Sequence, residues 1–346
     1  MKAHTLARPL VMVAATLVFL AVLPVSRAAQ AQPAQTLTLK VADSLPTTHY
    51  FSFQAVKPWM DRVVQLSKTK VEFQHFPSEQ LGKHKDMLNI LRTGVADVVG
   101  VPIEAGEFPL HTFFGLPGRY DTSSEGTRIY QQLLKEGPLR EEFAKFGARP
   151  LFVWATPTYE IFSANKAVVK LEDVKGLKIR SVGGAQDSVI QALGAVPVTI
   201  PAPEIYTALQ RATVDAAMMV YTSAPAYKLE EVAKYATFGA RLGGVTQGFT
   251  IMEDRLQKLP ADVREAMMKA SEEIIAAVAK YLDGQVTQNV SSFEKQGMQI
   301  NRVSKDEVAR WARALEPVTE QWIKQMEVKG LPGKQLVDAW KKVAGR

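Results

Sequence analysis

The sequence predicts an α/β protein of two similar lobes, each a mainly parallel sheet flanked by helices, with one long helix bridging both. Three observations carry that expectation. Strand-like and helical stretches alternate through the first hundred residues, a βαβ rhythm that builds parallel sheets with helices on their faces. The rhythm returns near residue 150, and a spacing returns with it: Asp97 follows Leu91 by six residues as Asp215 follows Leu209. Beyond Pro260 the pattern turns helical, with no proline before Pro317. A helix reaching Gln296 would span roughly 50 Å at ~1.5 Å per residue, longer than one lobe is wide. The length of 346 residues also suits two domains.

Each element has a local reason. Thr36–Ala42 alternates as a strand and ends at Asp43-Ser44-Leu45-Pro46. Phe51–Ser67 places Val56, Trp59, Met60, Val63 and Val64 on one helical face, with Pro58 inviting a kink or a later start. Val71–Phe76 is a second strand, Lys83–Arg92 a helix closed by Thr93-Gly94, and Asp97–Val101 a third strand. In the second half, Leu151–Trp154, Ile161–Ser163 and Gly176–Ser181 read as strands. A helix follows Gly183-Gly184 and stops at Gly194, leading to the strand Val196–Thr199; the helix Pro203–Arg211 feeds the strand Val214–Met219. Asp262–Glu265 and Ser304–Glu307 look like capping boxes for two later helices, and Gly330–Gly333 breaks before a last short one.

Residues 1–31 read as a signal peptide: Lys2 and Arg8, an apolar run from Leu10 to Leu23, and Ala29-Gln30-Ala31 for cleavage. The run is too short for a spanning helix of ~20 residues. With Lys2, Arg8 and Arg27 removed, 39 of the 42 basic residues face 35 acidic ones, a mature charge of +4. That balance, with no long Lys/Arg cluster, gives nucleic-acid binding little support. The absence of cysteine excludes disulfide scaffolds, thiolate metal sites, cysteine nucleophiles and a lipoprotein anchor. The expected address is the periplasm.

No nucleotide, lipase-type or zinc-protease motif occurs. His49, His75, His84 and His111 lack metal-ligand spacing, and Glu141-Glu142 is expected to face solvent from a helix. A chain without nucleophile, metal cluster or cofactor loop is expected to bind rather than react: no enzyme, no cofactor, no metal. Arg180 is the polar feature that stands out. It closes a strand just before Gly183-Gly184 and a helix start, and strand carboxyl ends face the ligand crevice in open α/β sheets. A guanidinium there clamps a carboxylate with two parallel hydrogen bonds. The competing reading of Arg180 is a surface salt bridge with Glu172 or Asp173.

Several stretches carry a family likeness. Leu171-Glu172-Asp173-Val174-Lys175-Gly176-Leu177-Lys178-Ile179-Arg180 resembles a segment of the DctP-type solute-binding proteins of TRAP transporters. Phe76–Gly82, Gly94–Asp97, Phe108–Leu110, Leu116-Pro117, Pro203–Gln210 and Phe293–Gly297 resemble further family segments in the same order. The resemblance implies a two-lobed periplasmic binding protein that closes on an organic acid. It would pass the acid to a membrane partner of one small and one large integral subunit, driven by an ion gradient. It also places the family's carboxylate-clamping arginine on Arg180. The implied lobes are 32–157 plus 246–285, and 158–245 plus 286–346.

Two departures shape the expected ligand. Where sialic-acid and C4-dicarboxylate members often carry a second arginine, this chain has Glu160. Three roles are open to it: pairing with Arg180, accepting a ligand amine or hydroxyl, or pointing outward beside Tyr159. After Asp215, where many members continue with polar or acidic residues, this chain has Ala217-Met218-Met219-Val220-Tyr221. No glutamate remains there for a bound cation, and alternation along a strand turns one methionine toward the cleft. Gln247 and Ser44 match polar cleft positions, and His49 stands beside them. The expected site is therefore Arg180, Gln247, Glu160, Tyr159, Met219, Tyr221, Ser44 and His49. The expected ligand is a monocarboxylate with an apolar or aromatic body, in preference to a C4-dicarboxylate or sugar acid. A sensory receptor presenting its ligand to a membrane kinase, or a secreted hydrolase, are the alternative classes.

Overall fold

The computed structural model describes Met1 and residues 36–102 and 106–345; apart from Met1, the expected signal peptide lies outside them. Eleven strands among the described residues make two sheets. The first joins β1 (Leu37–Ala42), β2 (Val71–Phe76), β3 (Val98–Pro102), β4 (Ala148–Ala155) and β10 (Thr246–Met252) in the order β2-β1-β3-β10-β4. The second joins β5 (Glu160–Ser163), β6 (Lys178–Ser181), β7 (Val196–Thr199), β8 (Ala216–Met219), β9 (Tyr235–Phe238) and β11 (Gln299–Arg302) in the order β11-β9-β5-β8-β6-β7. One strand in each sheet opposes the others. β10 is antiparallel to β3 and β4, β5 is antiparallel to β8 and β9, and the remaining pairs are parallel. The sheets are thus mixed, with one common direction dominating each.

The repeated Leu-to-Asp spacing has a shared structural role. Asp97 accepts the Lys40 N–H on its carboxylate at 2.7 Å while its own N–H reaches the Lys40 carbonyl at 2.9 Å. Asp215 does the same with Lys178, at 2.8 and 2.8 Å. Each aspartate locks the mouth of a parallel pair, β1 with β3 and β6 with β8. A carboxylate, which only accepts, suits these strand N–H groups.

Two connections carry the chain between the sheets: 156–159 from β4 to β5, and 239–245 from β9 to β10. They run side by side. Thr156 N–H donates to Val245 O (2.8 Å), Tyr159 N–H to Gly243 O (2.7 Å) and Leu242 N–H to Tyr159 O (3.2 Å). Glycine is required on this path. A Cβ on Gly243, whose φ is +84°, would stand 2.0 Å from the Gly115 carbonyl oxygen, and one on Gly244 would stand 1.8 Å from the Tyr120 hydroxyl.

The long helix, Ala261–Lys295, has the extent expected. Toward its start, Ser271 Oγ accepts the Trp59 indole N–H at 3.0 Å. Toward its end, Asn289 donates to Tyr221 O at 3.1 Å, and Phe293 packs against Phe162 beneath the second sheet. It therefore touches the layers of both sheets. Asp262 does not cap it. The N-cap is Pro260, and the Asp262 carboxylate instead accepts the N–H groups of Lys68 (2.9 Å) and Thr69 (2.7 Å). Ser304 does cap the next helix, Lys305–Val328, by accepting Glu307 N–H at 3.2 Å. That helix runs through Pro317, which forfeits one backbone bond without ending it. The last helix, Gly333–Ala344, sets Trp340 on the Phe113 ring and donates its indole N–H to Arg119 O at 3.1 Å.

The later start that Pro58 invited is seen: a wider π-turn over Phe51–Val56 precedes the α-helix Lys57–Leu66, whose first turn takes Pro58 because no N–H is needed there. Two local expectations change. Val64 is exposed, whereas Val56, Trp59 and Val63 are buried. Glu142, expected in solvent, is buried and receives the Leu110 N–H on both carboxylate oxygens at 3.0 and 3.1 Å.

Candidate ligand-binding site

A cavity of about 340 Å³ lies where the dominant strand directions of both sheets end. Ser44 follows β1, Gly100 lies within β3, Val182 follows β6, Thr199 closes β7 and Met219 closes β8; all of these line it. The two opposed strands enter from the other direction, so Tyr159 just before β5 and Gln247 at the start of β10 also face it. The arrangement follows the general rule that open α/β sheets bind at strand carboxyl ends.

Arg180 is the cavity's buried cation. It is 1% exposed. Its Nε donates to Ile200 O at 2.7 Å and its Nη1 to Met218 O at 3.3 Å, so backbone carbonyls from both flanking strands hold the guanidinium in place. The salt-bridge alternative does not form: Glu172 pairs with Arg310, and Asp173 accepts the N–H groups of Val169 (3.1 Å) and Lys170 (3.0 Å).

Two polar chains reach the cavity from the first sheet. Trp154 can only donate, so its indole N–H gives a bond to the Tyr50 oxygen at 3.4 Å; the Tyr50 hydroxyl then donates to Gln247 Oε1 at 2.8 Å. Gln247 lines the cavity, and with Oε1 taken by Tyr50 its amide NH₂ is its donor end. His49 receives the Phe51 N–H on Nδ1 at 3.2 Å, so its ring proton sits on Nε2 and is donated to Ser223 Oγ at 3.0 Å. Burial pushes the His49 pKa down to about 3, and the ring stays neutral. This bond joins a loop after β1 to a loop after β8 across the cavity edge.

Much of the remaining wall is apolar, from Leu45, Phe51, Val182, Ile200, Met219 and the Tyr227 ring, with Thr199 and His84 among the polar lining. Phe51 is fixed by Trp154 and Phe249, each with ring centroids at 5.0 Å. Among the described lining residues there is no acidic side chain, and Lys85 adds a second cation at the exposed rim. Among the described residues no cluster suits a metal ion, and no helix is long and apolar enough to cross a membrane.

Six of the eight residues read from the sequence line this cavity: Arg180, Gln247, Tyr159, Met219, Ser44 and His49. Glu160 and Tyr221 do not. The Glu160 carboxylate is buried on the turn after β9, accepting from Thr237 Oγ1 (2.7 Å), Gly239 N–H (2.9 Å) and Ala240 N–H (3.1 Å). Burial raises its pKa, and those three donors partly restore the anion. Tyr221 donates to Thr237 O at 2.7 Å and sits in an aromatic cluster with Phe162 and Phe293. Met218 contributes its carbonyl to Arg180 and no lining side chain. Sequence reasoning missed Phe51, His84, Ser223 and Tyr227. The strand-end rule that singled out Arg180 would have found Ser223 beyond β8, while His84 was weighed only as a metal ligand.

Comparison with known proteins gives a consistent likeness. The profile of the DctP family, "Bacterial extracellular solute-binding protein, family 7", matches residues 42–325. A solute-binding protein of Albidiferax ferrireducens is 26% identical over 296 residues, covering 80% of this chain and 84% of that protein. A TRAP solute-binding protein from Rhodoferax ferrireducens, solved with copurified benzoate, superposes with a TM-score of 0.83 at 22% identity, covering 89% of this chain and 98% of that one. A TRAP periplasmic solute-binding protein from Bordetella bronchiseptica, solved with bound (R)- and (S)-mandelate, superposes with a TM-score of 0.80 at 22% identity, covering 89% and 99%.

Proposed function

The chain belongs to the DctP family, the bacterial extracellular solute-binding proteins of family 7, and from that premise we propose that it captures an aromatic or otherwise apolar monocarboxylate for a TRAP transporter. It is a receptor and not an enzyme. In this reading residues 1–31 direct export to the periplasm and are removed. The two sheets with their helices act as lobes that close on the acid, and the closed form delivers it to the small and large membrane subunits.

The observation that carries the ligand class is the Arg180 guanidinium, oriented at the strand ends of a cavity with a largely apolar wall. A planar guanidinium matches a carboxylate with a two-pronged bond, and the apolar part of the wall offers an acid's body contact. The mature sheets supply donors from both sides, Gln247 from the first and Arg180 from the second. An acid touching both binds the closed arrangement more tightly than the open one, which is what drives closure. The benzoate and mandelate complexes of proteins with this fold agree with that choice. A C4-dicarboxylate is the competing reading, favoured by the second cation, Lys85, at the rim. A thermal-shift screen of the chain from Gln32 onward separates them. Benzoate, phenylacetate and mandelate are expected to raise the melting temperature by a few degrees at 100 times Kd, equivalent to about 2.7 kcal/mol. Stabilisation by succinate and malate alone would replace the aromatic reading with the dicarboxylate one.

A further inference from the structure

His84 faces the same cavity with a supporting structure of its own. Its Nδ1 meets Ser44 Oγ at 2.7 Å, and its backbone N–H is held by Glu79 Oε1 at 2.7 Å. Glu79 and the preceding Ser78 both occupy the left-handed region, with φ of +62° and +55°. Non-glycine residues enter that region at a cost and persist there only where surrounding bonds enforce it. Those bonds are present: Ser78 N–H donates to Leu45 O at 3.0 Å and Glu79 N–H to Asp43 O at 3.2 Å, tying this turn to the loop that carries Ser44. The turn, the loop and the ring form one unit aimed at the cavity.

We propose that His84 is a specificity-determining residue that receives a hydroxyl group on the acid held by Arg180, making the preferred ligand a hydroxylated aromatic monocarboxylate. The inference rests on the carboxylate reading of Arg180. With Nδ1 engaged by Ser44, Nε2 is the nitrogen left for a ligand, and either tautomer serves. If Ser44 donates, Nε2–H donates; if Nδ1–H donates, Nε2 accepts. A hydroxyl is the small group that satisfies both. Burial and the Arg180 charge hold the His84 pKa below its ordinary value. The ring is therefore a neutral partner, suited to a hydroxyl and poorly suited to a second carboxylate. Ser44 and Glu79 are positioning residues in this arrangement.

Calorimetric titration of the mature protein tests it with benzoate, the three hydroxybenzoate isomers and the benzenedicarboxylates. At least one hydroxybenzoate is expected to bind about tenfold more tightly than benzoate, the dicarboxylates no more tightly. His84→Leu should abolish that preference, so that benzoate and every hydroxybenzoate bind the variant with equal affinity. Ser44→Ala, which leaves the ring in place without its partner, should reduce the ratio of hydroxybenzoate to benzoate affinity. A preference that survives in His84→Leu, equal binding of benzoate and every hydroxybenzoate by wild type, or tighter binding of a dicarboxylate would each overturn the inference while leaving Arg180 as the clamp. Failure of all these acids to bind wild type would instead overturn the reading of Arg180 and this inference with it.

Discussion

At Arg180 the chemistry depends on what surrounds one side chain. The guanidinium is buried, and the carbonyls of Ile200 and Met218 fix its orientation. The carboxyl of Glu142 is buried too. It lies 5% exposed, and burial pushes its pKa up to about 7 despite the Leu110 N–H bonds. Between the ordinary value of 4.5 and about 7 the folded chain keeps a proton that the unfolded chain releases. The resulting stabilisation is complete below 4.5 and is lost as pH rises through 7. Glu142→Gln, which keeps an acceptor for Leu110, should match wild type near pH 4.5 and exceed it toward pH 8 by up to roughly 3 kcal/mol at 1.36 kcal/mol per pKa unit. Thermal melts of both proteins from pH 4.5 to 8 read this out; parallel curves would contradict it.

At the scale of elements, the paired connections between the sheets are the tightest point in the fold. Gly244→Ala would drive a Cβ to 1.8 Å from the Tyr120 hydroxyl, so backbone or ring must move. Overpacking of this kind costs about 1–3 kcal/mol, a fall of roughly 2–4 °C per kcal/mol in melting temperature. Gly284→Ala is the contrasting case: inside the long helix, with nothing within 4 Å of the new Cβ, it should raise stability by about 0.5–1 kcal/mol. Melting temperatures moving the same way in both variants would contradict the account. Elements of this kind differed in how legible they were. The βαβ strands, the long helix and the Asp97/Asp215 repeat could be read because periodicity and spacing are local. β9, β10 and β11 were not read, because what makes them strands is pairing with segments distant in sequence: β9 with β5 and β11, β10 with β3 and β4. Glu160 escaped for a related reason: the family position of a second arginine drew it toward the cleft, while the turn at 237–240, distant in sequence, holds its carboxylate.

Across the whole molecule, three features join the two sheets: the paired connections, the long helix, and the C-terminal helices that set Trp322 on Thr112 and Trp340 on Arg119. The His49–Ser223 bond spans the cavity edge between them. In the proposed function, a ligand anchored at Arg180 and at Gln247 adds contacts to both sheets and so favours the closed arrangement. The central claim is that the Arg180 charge holds the carboxylate. Calorimetric titration of benzoate, or of the tightest acid from the screen, into wild type and Arg180→Ala tests it most directly. Loss of a buried charge-assisted pair, at about 2–5 kcal/mol, predicts at least a thirtyfold weaker affinity in the variant. An affinity unchanged in Arg180→Ala would contradict the claim and move the carboxylate to another part of the cavity.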